Sequence, residues 1–93
     1  MTNFTVRVEL HKATWDDYET LHAAMGNHEF SRDITADDGN TYHLPTAEYN
    51  ISTSQNRSSV LASAKTAASQ TGKKASILVT ESAGRTWSNL EAA

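Results

Sequence analysis

Seven consecutive residues, Phe4-Thr5-Val6-Arg7-Val8-Glu9-Leu10, alternate apolar and polar without a break. Alternation with a period of two describes a strand with one buried and one solvated face, and no helix shows it. A one-faced strand must be covered by another layer, so the rest of the chain has to supply that cover. Thr14-Trp15-Asp16-Asp17 reads as a helix start. Thr14 can accept from the third helical amide, and the two carboxylates stand where the positive end of a helix favours them. Trp15, Tyr18, Leu21, His22 and Met25 then share one stripe at helical spacing, with Gly26 as the expected stop.

Phe30 to Thr35 is a second, weaker strand carrying Phe30 and Ile34, and Asp37-Asp38-Gly39-Asn40 after it is dense turn chemistry. Thr41 to Thr53 is a third extended stretch, with a bulge or kink expected at Pro45, which cannot donate to a ladder. Ser54 or Asn56 caps a second helix. Its stripe, Val60, Leu61, Ala64, Ala67, Ala68 and Thr71, is mostly alanine and predicts close packing, with Gly72 at its end. Ala75 to Thr80 forms a fourth strand, and Ala83-Gly84-Arg85 opens a tail holding Trp87 and Leu90.

The order β-α-β-β-α-β predicts an α+β chain with the ferredoxin-like arrangement, in which residues 1–93 form a single domain. The expectation is one four-stranded antiparallel sheet, ordered 4-1-3-2, with both helices on one face. Val6, Val8, Tyr18, Leu21, Met25, Tyr49, Ile51, Val60, Leu61, Ile77 and Val79 are its expected core.

That core is thin, since Leu, Ile, Val and Phe together number 15 of 93 residues. A net charge of −3 is nevertheless too small to point to disorder. The absence of cysteine removes disulfides, thiolate catalysis and Cys-ligated zinc from consideration. No apolar run approaches the roughly 18 residues of a membrane span, and Met1-Thr2-Asn3-Phe4 does not begin a leader, so a soluble cytoplasmic protein is expected. Eight Lys and Arg against 11 Asp and Glu give no global basic field to draw nucleic acid.

If the apolar side of the first strand meets the helices, Thr5, Arg7 and Glu9 face the other way, joined by Glu48, Asn50 and Ser52. An RNA-recognition motif would need aromatic residues on that outer face, but Phe4 and Tyr49 point inward. The four histidines, His11, His22, His28 and His43, show no ligand spacing on one helix face, and neither metal nor cofactor is predicted. His22 sits at the border of its stripe, where it serves either packing or acid–base chemistry. The pairs Asp16-Asp17 and Asp37-Asp38 are explained by a helix start and a turn, and Lys73-Lys74 by a helix end.

The stretch Leu21-His22-Ala23-Ala24-Met25, Phe30-Ser31, Ile34, Gly39, Leu44, Tyr49, Ile51 and Thr53-Ser54 resembles the GhoS family in spacing and residue class. The likeness runs without a gap from about residue 4 to residue 60. GhoS proteins are ferredoxin-like antitoxins of type V toxin–antitoxin pairs, endoribonucleases that cut the toxin's messenger RNA, and they are related to small CRISPR-associated nucleases. The resemblance implies a role for Glu9, matching an acidic residue that closes strand one, and for His22, which stands where the family carries an Arg on helix one. An Arg is a permanent cation for phosphate, whereas a His is one only when protonated.

RNA cleavage needs a base, an acid and a cation around the 2′-OH and its neighbouring phosphate. Glu9 or His11 could be the base, His22 the acid and Arg7 the cation, with Arg7, Lys12 and Arg32 contacting single-stranded RNA. The alternative is a non-catalytic interaction module that self-associates, for example as a homodimer, or binds a partner through its open sheet face. A basic patch joining Arg7, Lys12, Arg32 and Lys73-Lys74 favours RNA, and an apolar outer face including Leu78 favours self-association.

Overall fold

The computed structural model describes residues 1–93. In chain order the elements are β1 (Thr2–Leu10), α1 (Trp15–Asn27), β2 (Asp33–Thr35), β3 (Thr41–His43), β4 (Glu48–Thr53), α2 (Arg57–Ser69) and β5 (Ala75–Glu81). β1 lies between β4 and β5 in a three-stranded antiparallel sheet, and β2 and β3 form a separate two-stranded one. The fold is α+β, and the first strand is internal, flanked by the two strands expected beside it.

The expected single sheet of four strands is therefore corrected. The long third stretch breaks in two at Leu44–Ala47, and its first piece turns away to pair with β2. Pro45 accepts from the Glu48 amide in a turn, and Ala47 takes a positive φ of 72°. The Ala47 carbonyl then accepts from the Val8 amide, so β4 joins β1 only after the turn is complete. One isolated bridge, Ser31 to Asn50, ties the second strand's approach to β4.

Phe4, Val6, Val8 and Leu10 point to one side and are buried against Leu21, Ala24 and Met25 of α1 and Val60, Ala64, Ala67 and Ala68 of α2. Both helices thus share one face of the sheet. The alanines of α2 let its backbone lie close, and Asn56 caps it by accepting from the Ser59 amide. Thr14 caps α1 in a reciprocal box with Asp17, whose carboxyl is held below its ordinary range by the Thr14 backbone amide. Two stripe residues depart from expectation. Trp15 and Leu61 are exposed, each at the margin of its stripe. Gly26 lies within α1, which runs on to Asn27 and is capped at His28. No helix is long and apolar enough to cross a membrane.

Candidate functional site

On β1, Arg7 and Glu9 emerge on the side away from the helices, and both are exposed. Arg7 stands between Glu48 of β4 and Leu78 of β5, and Glu9 stands opposite Ser76. His11, one residue past the strand, continues the row. Its amide donates to the Lys74 carbonyl, and its Nε2 lies 2.7 Å from Ser76 Oγ. Alternate residues on a strand are spaced by about 7 Å, so a cation, a carboxylate and an imidazole follow one another along one exposed face. Arg7, Glu9, Ser76, Ile77 and Leu78 line a shallow groove of about 230 Å³ there.

The other half of this face is covered. The tail beyond β5 crosses it, and Arg85 donates through Nε to Thr5 Oγ1 at 3.1 Å and through Nη2 to Asn50 Oδ1. Further on, Trp87 leans on Tyr42, the His43 amide donates to the Glu91 carbonyl, and Tyr42 bridges to Ala92. The expected open face is thus halved, with Arg7, Glu9, His11, Ser76 and Leu78 left clear.

His22 belongs to a different place. Its Nδ1 lies 2.6 Å from the hydroxyl of Tyr49, whose ring is fully buried on the helical side of β4. Its Nε2 is buried with no hydrogen-bond partner. Burial holds the ring's pKa below the ordinary histidine value, the nearby Arg32 cation adds to that, and Glu19 opposes it. Burial likewise raises the Tyr49 hydroxyl's pKa, so it stays protonated. Tyr18, next along α1, accepts from the Leu10 amide and ties the helix to the end of β1.

Of the residues singled out from sequence, the structure gathers Arg7, Glu9 and His11 on the open face, sets His22 on the helical side, and leaves Arg32 exposed in a groove with Leu44, Pro45 and the tail residues Ser88 and Leu90. Tyr49 pairs with Val6, whose side chain points opposite to those of Arg7 and Glu9, so the sheet itself separates Glu9 from His22. Lys12 is exposed in the turn after β1 at a positive φ of 53°. Lys73 is turned toward Asp17 at 3.8 Å. His11 pairs with Lys74, so Lys12 and the Lys73-Lys74 doublet come to the same end of the sheet, and Leu78 lies exposed on the open face. The remaining histidines are dispersed, His28 beside Ser63 and His43 paired with Asp33. No three His, Asp or Glu side chains converge as metal ligands would.

Ser76, Arg85 and the Tyr49 hydroxyl escaped the sequence reading of the site. Ser76 becomes visible only through the β1–β5 register, and Arg85 only through the path of the tail. The chain matches the family described as endoribonuclease GhoS over residues 1–89 of its 93. No curated protein and no solved structure matches it. A match across nearly the whole length, covering every strand and both helices, places the chain in the GhoS endoribonuclease family.

Proposed function

We propose that this protein is a cytoplasmic endoribonuclease of antitoxin type, acting on single-stranded RNA over the clear half of its open sheet face. The observation that carries the reading is the row Arg7, Glu9 and His11, three chemically distinct groups side by side on one exposed strand. Glu9 takes the proton of a ribose 2′-OH, and the freed oxygen attacks the adjacent phosphorus. The bond from phosphorus to the 5′-oxygen breaks, and His11 delivers a proton to that leaving oxygen. Arg7 meets the charge that builds on the phosphoryl oxygens. The products are a 2′,3′-cyclic phosphate and a 5′-hydroxyl end. Ser76 keeps the His11 ring turned to the face, and Lys12 extends the cationic path past the strand.

A second reading rests on one observation, the buried and partnerless Nε2 of His22. It puts the cutting centre on the helical side, where the family carries its Arg, and requires that site to open before RNA can enter.

The test is cleavage of end-labelled RNA pools by wild type and by Arg7→Ala, Glu9→Gln, His11→Ala and His22→Ala, each checked for folding by circular dichroism. Loss of about a hundredfold or more in the Glu9 and His11 variants, with His22→Ala still active, supports the open-face centre. Loss confined to His22→Ala supports the helical side. No cleavage in any pool, with no salt-dependent RNA retention, overturns both and leaves the interaction module.

A further inference from the structure

β5 closes one edge of the three-stranded sheet, and no strand pairs with its outer side. Sheet edges are ordinarily defended by a lysine, a proline, a bulge or a covering loop. Residues 75–80, Ala-Ser-Ile-Leu-Val-Thr, contain neither charge nor proline, and they run in unbroken register with β1. The tail that follows does not shield the edge, because it crosses the open face to reach Thr41 of β3.

The core is also incompletely closed at this place. Val6 and Val8 of β1 are fully buried, yet Ile77 and Val79, which pair with them and face the same helical side, are only partly buried. Leu61 of α2, 37% exposed, and Leu78, 64% exposed, stand at the same edge. Together with Arg57 and Ser58 these apolar residues line a groove of about 300 Å³.

We infer that a second copy of this chain pairs with the edge, β5 to β5 in antiparallel sense, making one sheet from the three strands of each copy. The strand is self-complementary in that direction. With Leu78 on the two-fold axis, it meets its own counterpart, Ile77 meets Val79 on the helical side in both directions, and Ser76 meets Thr80. The Lys73-Lys74 doublet that precedes the strand comes beside Glu81, which ends it, in the other copy. Opposed apolar pairs and opposite charges at the strand ends both favour this register. The pairing keeps all four helices on one side and both clear open faces on the other. It holds whether or not the chain cuts RNA.

Sedimentation equilibrium across a concentration series, joined to amide hydrogen exchange, tests this. The expected result is a monomer–dimer equilibrium in which β5 amides slow as concentration rises. Leu78→Lys and Leu78→Glu, at an exposed position that the fold does not need, each place a charge against its own copy on the axis. Each variant alone stays monomeric, and the two mixed in equal amounts pair again. A wild type that is monomeric at every concentration overturns the inference. So does a dimer that survives both substitutions, or one in which exchange at β5 does not change.

Discussion

His22 Nδ1 lies 2.6 Å from the Tyr49 hydroxyl while its other nitrogen meets neither solvent nor a partner. The ring is therefore built into the helix–sheet junction in its neutral form, and its pKa lies below the ordinary 6.5, chiefly through burial. Below about pH 6.5 the unfolded chain binds a proton there that the folded chain resists. The stability contributed by neutral His22 is thus complete above that pH and is lost as the pH falls toward the lower folded value. Urea midpoints measured from about pH 7 to about pH 5 should decline, and His22→Gln should flatten that part of the decline. Equal slopes in the two proteins would show that the ring is not held neutral.

Tyr49→Phe keeps the aromatic ring in the core and deletes only the hydroxyl. Both His22 nitrogens are then without partners in a half-buried site. Stranding a buried polar group costs about 1–3 kcal/mol. The expected denaturant curve shifts by that amount with an unchanged slope, since the surface exposed on unfolding stays the same. A loss of less than a few tenths would mean that water replaces the hydroxyl.

Val8 is fully buried at the centre of the core, between α2 and the paired Ile77. Val8→Ala should cost roughly 1–3 kcal/mol, as large-to-small core changes do. In a core with so few large apolar residues this is a substantial share of the total. An unchanged melting temperature would reverse the assignment of the strand's faces.

The alternation of residues 4–10 made the inward and outward sides of β1 legible, and with them the outward direction of Arg7 and Glu9. The two caps and the alanine stripe of α2 were legible for the same reason, because they are local. What sequence could not show was long-range register. Glu9 faces Ser76, and Arg85 reaches Thr5 and Asn50, through pairings between distant segments. His22 read as a border residue from its own helix alone. Only the position of Tyr49 across the layer turns it into a half-buried, hydrogen-bonded ring. Pro45 announced a kink, but a complete break of the strand also needed Ala47 to enter the left-handed region, which an alanine does not advertise.

Ala47 offers a direct test of that break. At φ 72° its Cβ sits close to the following carbonyl, a strain of about 1–2 kcal/mol that glycine does not carry. Glycine gives back part of this through the greater freedom of the unfolded chain, about 0.4–1 kcal/mol. Ala47→Gly should therefore be neutral to about 1 kcal/mol more stable, by chemical denaturation. A clear destabilisation would place the turn in another conformation.

Arg85 holds the tail to the sheet with no carboxylate partner of its own, through Thr5 and Asn50 alone. Burial lowers its pKa, so part of the cation's hydration has been given up for those two bonds. Arg85→Ala removes both bonds and leaves the tail attached mainly by Trp87 on Tyr42 and the backbone bonds near β3. Chymotryptic cleavage at Trp87 should then be faster than in wild type, while amides of β1 exchange as slowly as before. Arg85→Lys keeps the charge but cannot reproduce the two-point geometry, and should fall between the two. The same variants bear on the cutting site. If RNA is cut over Arg7, Glu9 and His11, loosening the tail uncovers more of the face, and Arg85→Ala should cut at least as fast as wild type. Loss of cutting with β1 exchange intact would instead place the substrate against Arg85 itself, under the tail.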